Sequence, residues 1–154
     1  MKKIFFITAF ISSSIITIAQ STVGITGVRD TSYNILNEYN KHLKNNPGIQ
    51  IAKETSYPYI TEEKKIAYCK TPQRELKLDV FYPKEKSKIK RTAILFIHGG
   101  GWRSGNKSMH YPLLQELASL GYVCITPEYR LSTEALYPAG VHDIKTSIRW
   151  IRQH

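Results

Sequence analysis

The stretch Ala93–Ser108, AILFIHGGGWRSGNKS, decides how the rest of the chain is read. Ala93 to His98 is a continuous apolar run, the pattern of a strand covered on both faces. Three glycines and a tryptophan follow at once. Glycine has no Cβ, so successive backbone N–H groups can turn toward a ligand and let it approach closely. A strand that ends in such a turn suits a developing negative charge. Acyl transfer creates one on the carbonyl oxygen of a tetrahedral intermediate, and losing a single donor aimed at that oxygen costs about 2.7–4 kcal/mol. The turn fits neither the Walker phosphate loop nor the G-x-G-x-x-G dinucleotide fingerprint.

Outward from this stretch the chain alternates strands and helices. Upstream, KIAYC and LKLDVFYP read as two strands joined by the turn KTPQRE. The second places Leu76, Leu78, Val80 and Tyr82 on one side and Lys77, Asp79 and Phe81 on the other. An antiparallel pair at the edge of a sheet is expected. Downstream, Pro112 opens a helix whose buried face is Leu113, Leu114, Leu117 and Ala118, and Gly121 stops it. YVCIT is a second buried strand, and PEYRLSTEALYPAG is a loop. Val141, Ile144, Ile148 and Ile151 mark a last helix. Before all of these, residues 30–48 read as a helix capped by Asp30 to Ser32, with Ile35, Leu36, Tyr39 and Leu43 on one face. The alternation in the second half predicts an α/β sandwich with a mostly parallel sheet.

The chain has 154 residues, 42% of them hydrophobic, with 10 Tyr and 5 Phe, a globular composition. Lys2 and Lys3 precede a softened apolar run from Ile4 to Ile18, and small Ala19 follows. The expectation is an export signal over residues 1–19, cleaved after Ala19, in a secreted or periplasmic protein; an uncleaved anchor is the alternative. Residues 20–60 then form a helical segment and linker, and 61–154 the main domain. The net charge is +10, or +8 without residues 1–19. The basic run KEKSKIKR lies between two strand patterns and reads as a solvated loop, so no nucleic-acid partner and no stable membrane insertion are expected. Cys69 and Cys124 do not make a disulfide framework, and Cys124 reads as a small apolar core residue. No spacing suggests a metal or a cofactor.

HGGGW (His98–Trp102), SGNK (Ser104–Lys107), YRLSTE (Tyr129–Glu134), YPA (Tyr137–Ala139) and HDIKTSIRWI (His142–Ile151) stand in an order and spacing that resemble the α/β-hydrolase superfamily. The likeness is to its hormone-sensitive-lipase-like and feruloyl-esterase-like (BD-FAE-like) branch, over residues 60–154. The resemblance implies a serine carboxylic-ester hydrolase working through an acyl-enzyme. It implies that the N–H groups of Gly100 and Gly101 form most of the oxyanion hole. It makes His98 a structural support rather than the base, and Asp143 structural as well. Trp102 is expected at the pocket rim, where it is a candidate substrate contact. Tyr129 and Arg130 are expected to brace the loop after the strand, with Glu134 as a partner for Arg130. His142 and Asp143 are adjacent on a helix and do not face one another, so they are not read as a catalytic pair.

The nucleophile of that superfamily lies in G-x-S-x-G, with the acid and the His base later in the chain. No serine of this sequence sits in that pattern. The expectation is therefore the N-terminal part of the fold, truncated before the nucleophile strand and inactive alone. A downstream segment or a second chain would supply the triad, and the substrate would be a small or carbohydrate-linked ester. The strand AILFIH would then have an open edge, of the kind that recruits other chains. Two other readings stand beside this one. The first is a non-catalytic binding or partner protein retaining half the fold. The second is a peptidase or formamidase built on the same fold, since fold alone does not fix the acyl substrate.

Overall fold

The computed structural model describes residues 24–154; the expected export signal, residues 1–19, lies outside them. Four strands form one sheet: β1 (Ile60–Lys70), β2 (Glu75–Pro83), β3 (Ala93–Leu95) and β4 (Val123–Pro127). Their order is β1-β2-β4-β3. β1 pairs antiparallel with β2, β2 antiparallel with β4, and β3 parallel with β4. Among the described residues there are three α-helices: α1 (Ile35–Leu43), α2 (Tyr111–Ser119) and α3 (Ala139–Gln153). A short 3-10 turn, Lys107–His110, leads into α2.

Both sheet faces are covered, so the core has two halves. On one face Ile60, Phe81 and Cys124 pack with Leu114 and Ala118 of α2. On the other, Leu76, Leu78, Val80 and Ile125 pack with Trp150 and Ile151 of α3. The strict alternation of β2 is thus a two-sided core strand rather than one with a wet face, and Phe81 and Asp79 are fully buried. Cys124 serves as an apolar core residue; its thiol is free, and burial pushes its pKa up to about 11.

Several local expectations shift. α1 is capped by Asn34, which accepts from the Asn37 N–H, and not by Asp30 to Ser32; Leu36 is exposed. Leu113 of α2 is 49% exposed, while Gln115 is buried in its place. The reason is polar: the Gln115 amide accepts from the Thr55 N–H (2.9 Å) and donates to Glu62 (2.8 Å). α3 lies on the sheet through Asp143, Ile144 and small Ser147, which leaves Ile148 partly exposed. β1 begins at Ile60, inside the expected linker, and carries a bulge at Lys65 with φ +65°.

AILFIH departs furthest from expectation. Only Ala93–Leu95 is regular strand, Ile94 and Leu95 are half-buried, and Ile97 is 45% exposed. The cause is position in the sheet. Among the described residues β3 hydrogen-bonds β4 alone, and its other edge is free.

Candidate oxyanion-binding site

The chain leaves β3 through His98 and enters the glycine turn. Gly100 has φ +109°, Gly101 +62° and Trp102 +62°. A left-handed tryptophan is a true outlier, held only where its surroundings determine it. Here the Trp102 carbonyl accepts from the Ser132 N–H at 2.8 Å, and its ring meets Tyr129 at 5.3 Å between centroids. The turn closes on itself, because the Gly100 carbonyl accepts from the N–H groups of Arg103 (3.1 Å) and Ser104 (3.0 Å). No acceptor among the described residues takes the Gly100 or Gly101 N–H. Two adjacent donors are therefore without a partner among the described residues, on a backbone that is fixed by its neighbours.

His98 lies beneath this turn, 2% exposed. Its Nδ1 bonds the Gly99 carbonyl at 2.9 Å, and its ring stacks on Tyr129 at 4.4 Å. The Tyr129 hydroxyl donates to the His98 carbonyl at 2.8 Å. Burial pushes the His98 imidazole below its ordinary pKa, which favours the neutral ring. Arg130 sits next to this brace. Its partner is Asp143 and not Glu134: Nε meets Oδ2 and Nη2 meets Oδ1, both at 2.9 Å. Glu134 pairs with Arg74 at 2.7 Å and accepts from the Leu131 N–H. Asp143 also accepts from the Arg130 N–H (2.9 Å), so both of its oxygens are occupied. His142 is exposed beside it. Trp102 is half-exposed and lines a depression of about 200 Å³ with Arg130, Ser132, Ala135, Tyr137 and Gly140.

Three groups shape the site without any local signal in the sequence. Buried Ser104 accepts from the Tyr33 N–H (2.7 Å) and donates to the Asp30 carbonyl (3.1 Å), tying residues 30–33 across the turn. Tyr33 then places its ring against Gly99 and Gly100, close enough that a Cβ on Gly100 would lie 3.1 Å from it. Asp79, inside β2, takes the Lys65 N–H at the β1 bulge (2.7 Å), the Tyr111 hydroxyl and the Lys107 ammonium. Lys107 closes the glycine loop, so this carboxylate anchors the loop's far end to the sheet.

The geometry has a counterpart among known proteins. The BD-FAE family model matches residues 78–154, half of the chain. The chain belongs to the BD-FAE family. The matched BD-FAE region includes most of β2, all of β3 and β4, the glycine turn and the Arg130–Asp143 brace. Esterase LipC of Mycobacterium tuberculosis is 33% identical over 76 residues, which cover 49% of this chain and 19% of that protein. Arylacetamide deacetylase of Oryctolagus cuniculus is 30% identical over 93 residues, covering 58% of this chain and 23% of that one. Esterase 2 of Thermogutta terrifontis, solved in a form phosphonylated by cyclosarin, superposes with TM-score 0.55 at 35% identity, over 60% of this chain and 36% of that one. This BD-FAE chain therefore spans about a fifth of those curated relatives and about a third of the solved esterase. Its sheet and flanking helices are part of an α/β-hydrolase fold of the carboxylic-ester hydrolase family.

Proposed function

We propose that this chain is the oxyanion-binding part of an exported serine carboxylesterase. The N–H groups of Gly100 and Gly101 receive the carbonyl oxygen as it turns negative, and Trp102 borders the substrate. The observation that carries this reading is the pair of adjacent backbone donors with no acceptor among the described residues, held by Ser104, Tyr33 and the His98–Tyr129 stack. Fixed donors need no reorganisation when charge develops, which is why they lower the barrier. Esterase relatives with the same stretch of fold support the reaction class. His98 takes no proton from a nucleophile in this reading. Its ring is stacked and bonded under the turn and keeps the turn in shape.

The nucleophile comes from a G-x-S-x-G segment, and the acid and base from later strands and loops, all outside these 154 residues. The chain alone then turns over no ester. The test is release of p-nitrophenol from p-nitrophenyl butyrate by the purified 154-residue protein, and by a product extended through the next strand, helix and triad. Activity only in the extended product, lost on treatment with a serine-directed phosphonate, is the expected result. A phosphonate-sensitive burst from the 154-residue protein would overturn the assignment of the nucleophile. An inactive extended product that still folds would favour a non-catalytic role.

A further inference from the structure

A second cleft lies between α3 and the β1–β2 turn. Its volume is about 420 Å³, within the range of small-ligand sites. Its polar walls are Lys70 from β1, Arg130 from the loop after β4, and His142, Asp143, Lys145 and Arg149 from α3. Positions 142, 145 and 149 fall on one helical face, since residues three and four apart are neighbours there.

The one acid in this wall is already spent. Asp143 is 2% exposed and both of its oxygens are held by Arg130 at 2.9 Å. That pair makes a neutral floor. Lys70, Lys145 and Arg149 remain, and among the described residues none of them is in an ion pair. Arg149 is partly positioned already, its Nη2 donating to Thr146 Oγ1 at 2.9 Å. Like charges four apart on a helix are mildly destabilising. A concave wall of one sign also focuses the field and concentrates counter-ions. Three unpaired cations around a neutral floor match a compact dianion better than a single carboxylate.

We propose that this cleft binds a phosphate dianion, free or carried on an organic molecule, between Lys70, Lys145 and Arg149. A phosphate monoester near neutral pH carries close to two negative charges and three acceptor oxygens, which suits three cationic side chains that line one cleft. Such binding is independent of the ester chemistry at the glycine turn.

The experiment is calorimetric titration of the full chain at pH 7.5 and low ionic strength with inorganic phosphate, glucose 6-phosphate and glucuronate. Sodium chloride matched in ionic strength is the control. Saturable one-to-one binding of a phosphate probe is expected. It should weaken at least about tenfold, a loss of about 1.4 kcal/mol, in the Lys145→Gln/Arg149→Gln double variant. Both side chains are exposed on α3, so this variant should keep the far-ultraviolet circular dichroism of the parent; Lys70→Gln provides a second test on another element. Tighter binding of glucose 6-phosphate identifies a carried phosphate, and tighter binding of inorganic phosphate a free one. Glucuronate binding as tightly as the phosphates, chloride giving the same heat, or variants binding like the parent would each overturn the proposal.

Discussion

Gly100 and Gly101 are neighbours with similar sequence surroundings, and the structure assigns them very different tolerance of a methyl group. A Cβ on Gly101 meets nothing within 4 Å, so alanine there suffers only from φ +62°. A left-handed L-residue costs about 1–2 kcal/mol. A Cβ on Gly100 collides with the Ser104 carbonyl, which is backbone and cannot rotate away. Relieving that collision opens the turn. It breaks the Arg103 and Ser104 N–H bonds to Gly100, worth about 0.5–1.5 kcal/mol each. Backbone strain at φ +109° adds about 1–3 kcal/mol. Gly101→Ala should therefore cost about 1–2 kcal/mol and Gly100→Ala roughly 2–6 kcal/mol. Urea unfolding at low protein concentration, followed by tryptophan fluorescence, measures the difference. Hydrogen exchange at the Arg103 and Ser104 amides should accelerate in Gly100→Ala alone. Equal destabilisation of the two variants, within about 0.5 kcal/mol, would refute the close approach of Ser104 to Gly100 on which the reasoning depends.

Asp79→Ala leaves the half-buried Lys107 ammonium without its partner and should cost about 3–5 kcal/mol in urea unfolding, with Asp79→Asn, which keeps an acceptor, falling between it and the parent. Ser104→Ala removes the tie to Asp30 and Tyr33 and should cost about 1–3 kcal/mol, with faster hydrogen exchange over residues 30–34 and none over β2 or β4. His98 and His110 both have pKa values lowered by burial, so the unfolded chain takes up protons first on acidification. Stability should therefore be level above about pH 6.5 and fall as pH drops below it, until the folded-state pKa values are reached. Comparing urea midpoints at pH 7.5 and 5.5 checks this, and His98→Asn should flatten part of the slope.

Distance along the chain separates the features the sequence displayed from those it concealed. Continuous apolar runs and the glycine turn are local, so the strands, both flanking helices and the position of the turn were legible. Leu114, Ala118 and Ile144 fell where periodicity placed them. Burial of a polar group is different, because it depends on a partner elsewhere. Asp79 in an alternating strand reads as solvent-facing, and nothing near it announces Lys107, 28 positions away. Ser104 reads as a loop serine until the Tyr33 amide, 71 positions away, is seen on its hydroxyl. Arg130 had an acid four residues on in Glu134, yet folding brings Asp143 to it with a bidentate fit that the nearer acid cannot make while held by Arg74. The half-exposed state of β3 reflects which neighbours are present, and apolarity alone does not encode that.

The tie between Ser104 and residues 30–33 has a practical outcome for anyone trimming this protein. A version begun at Ile60 would keep every strand and look whole by any measure of the sheet. It would nonetheless strip the outer wall from the glycine turn, leave the Ser104 hydroxyl without its partners at Asp30, Ser32 and Tyr33, and bare the flank of Gly99 and Gly100 where the Tyr33 ring now rests. Such a product would fold at its centre and be loose at the glycine turn, and a measurement of that turn made on it would understate the order that residues 30–33 impose.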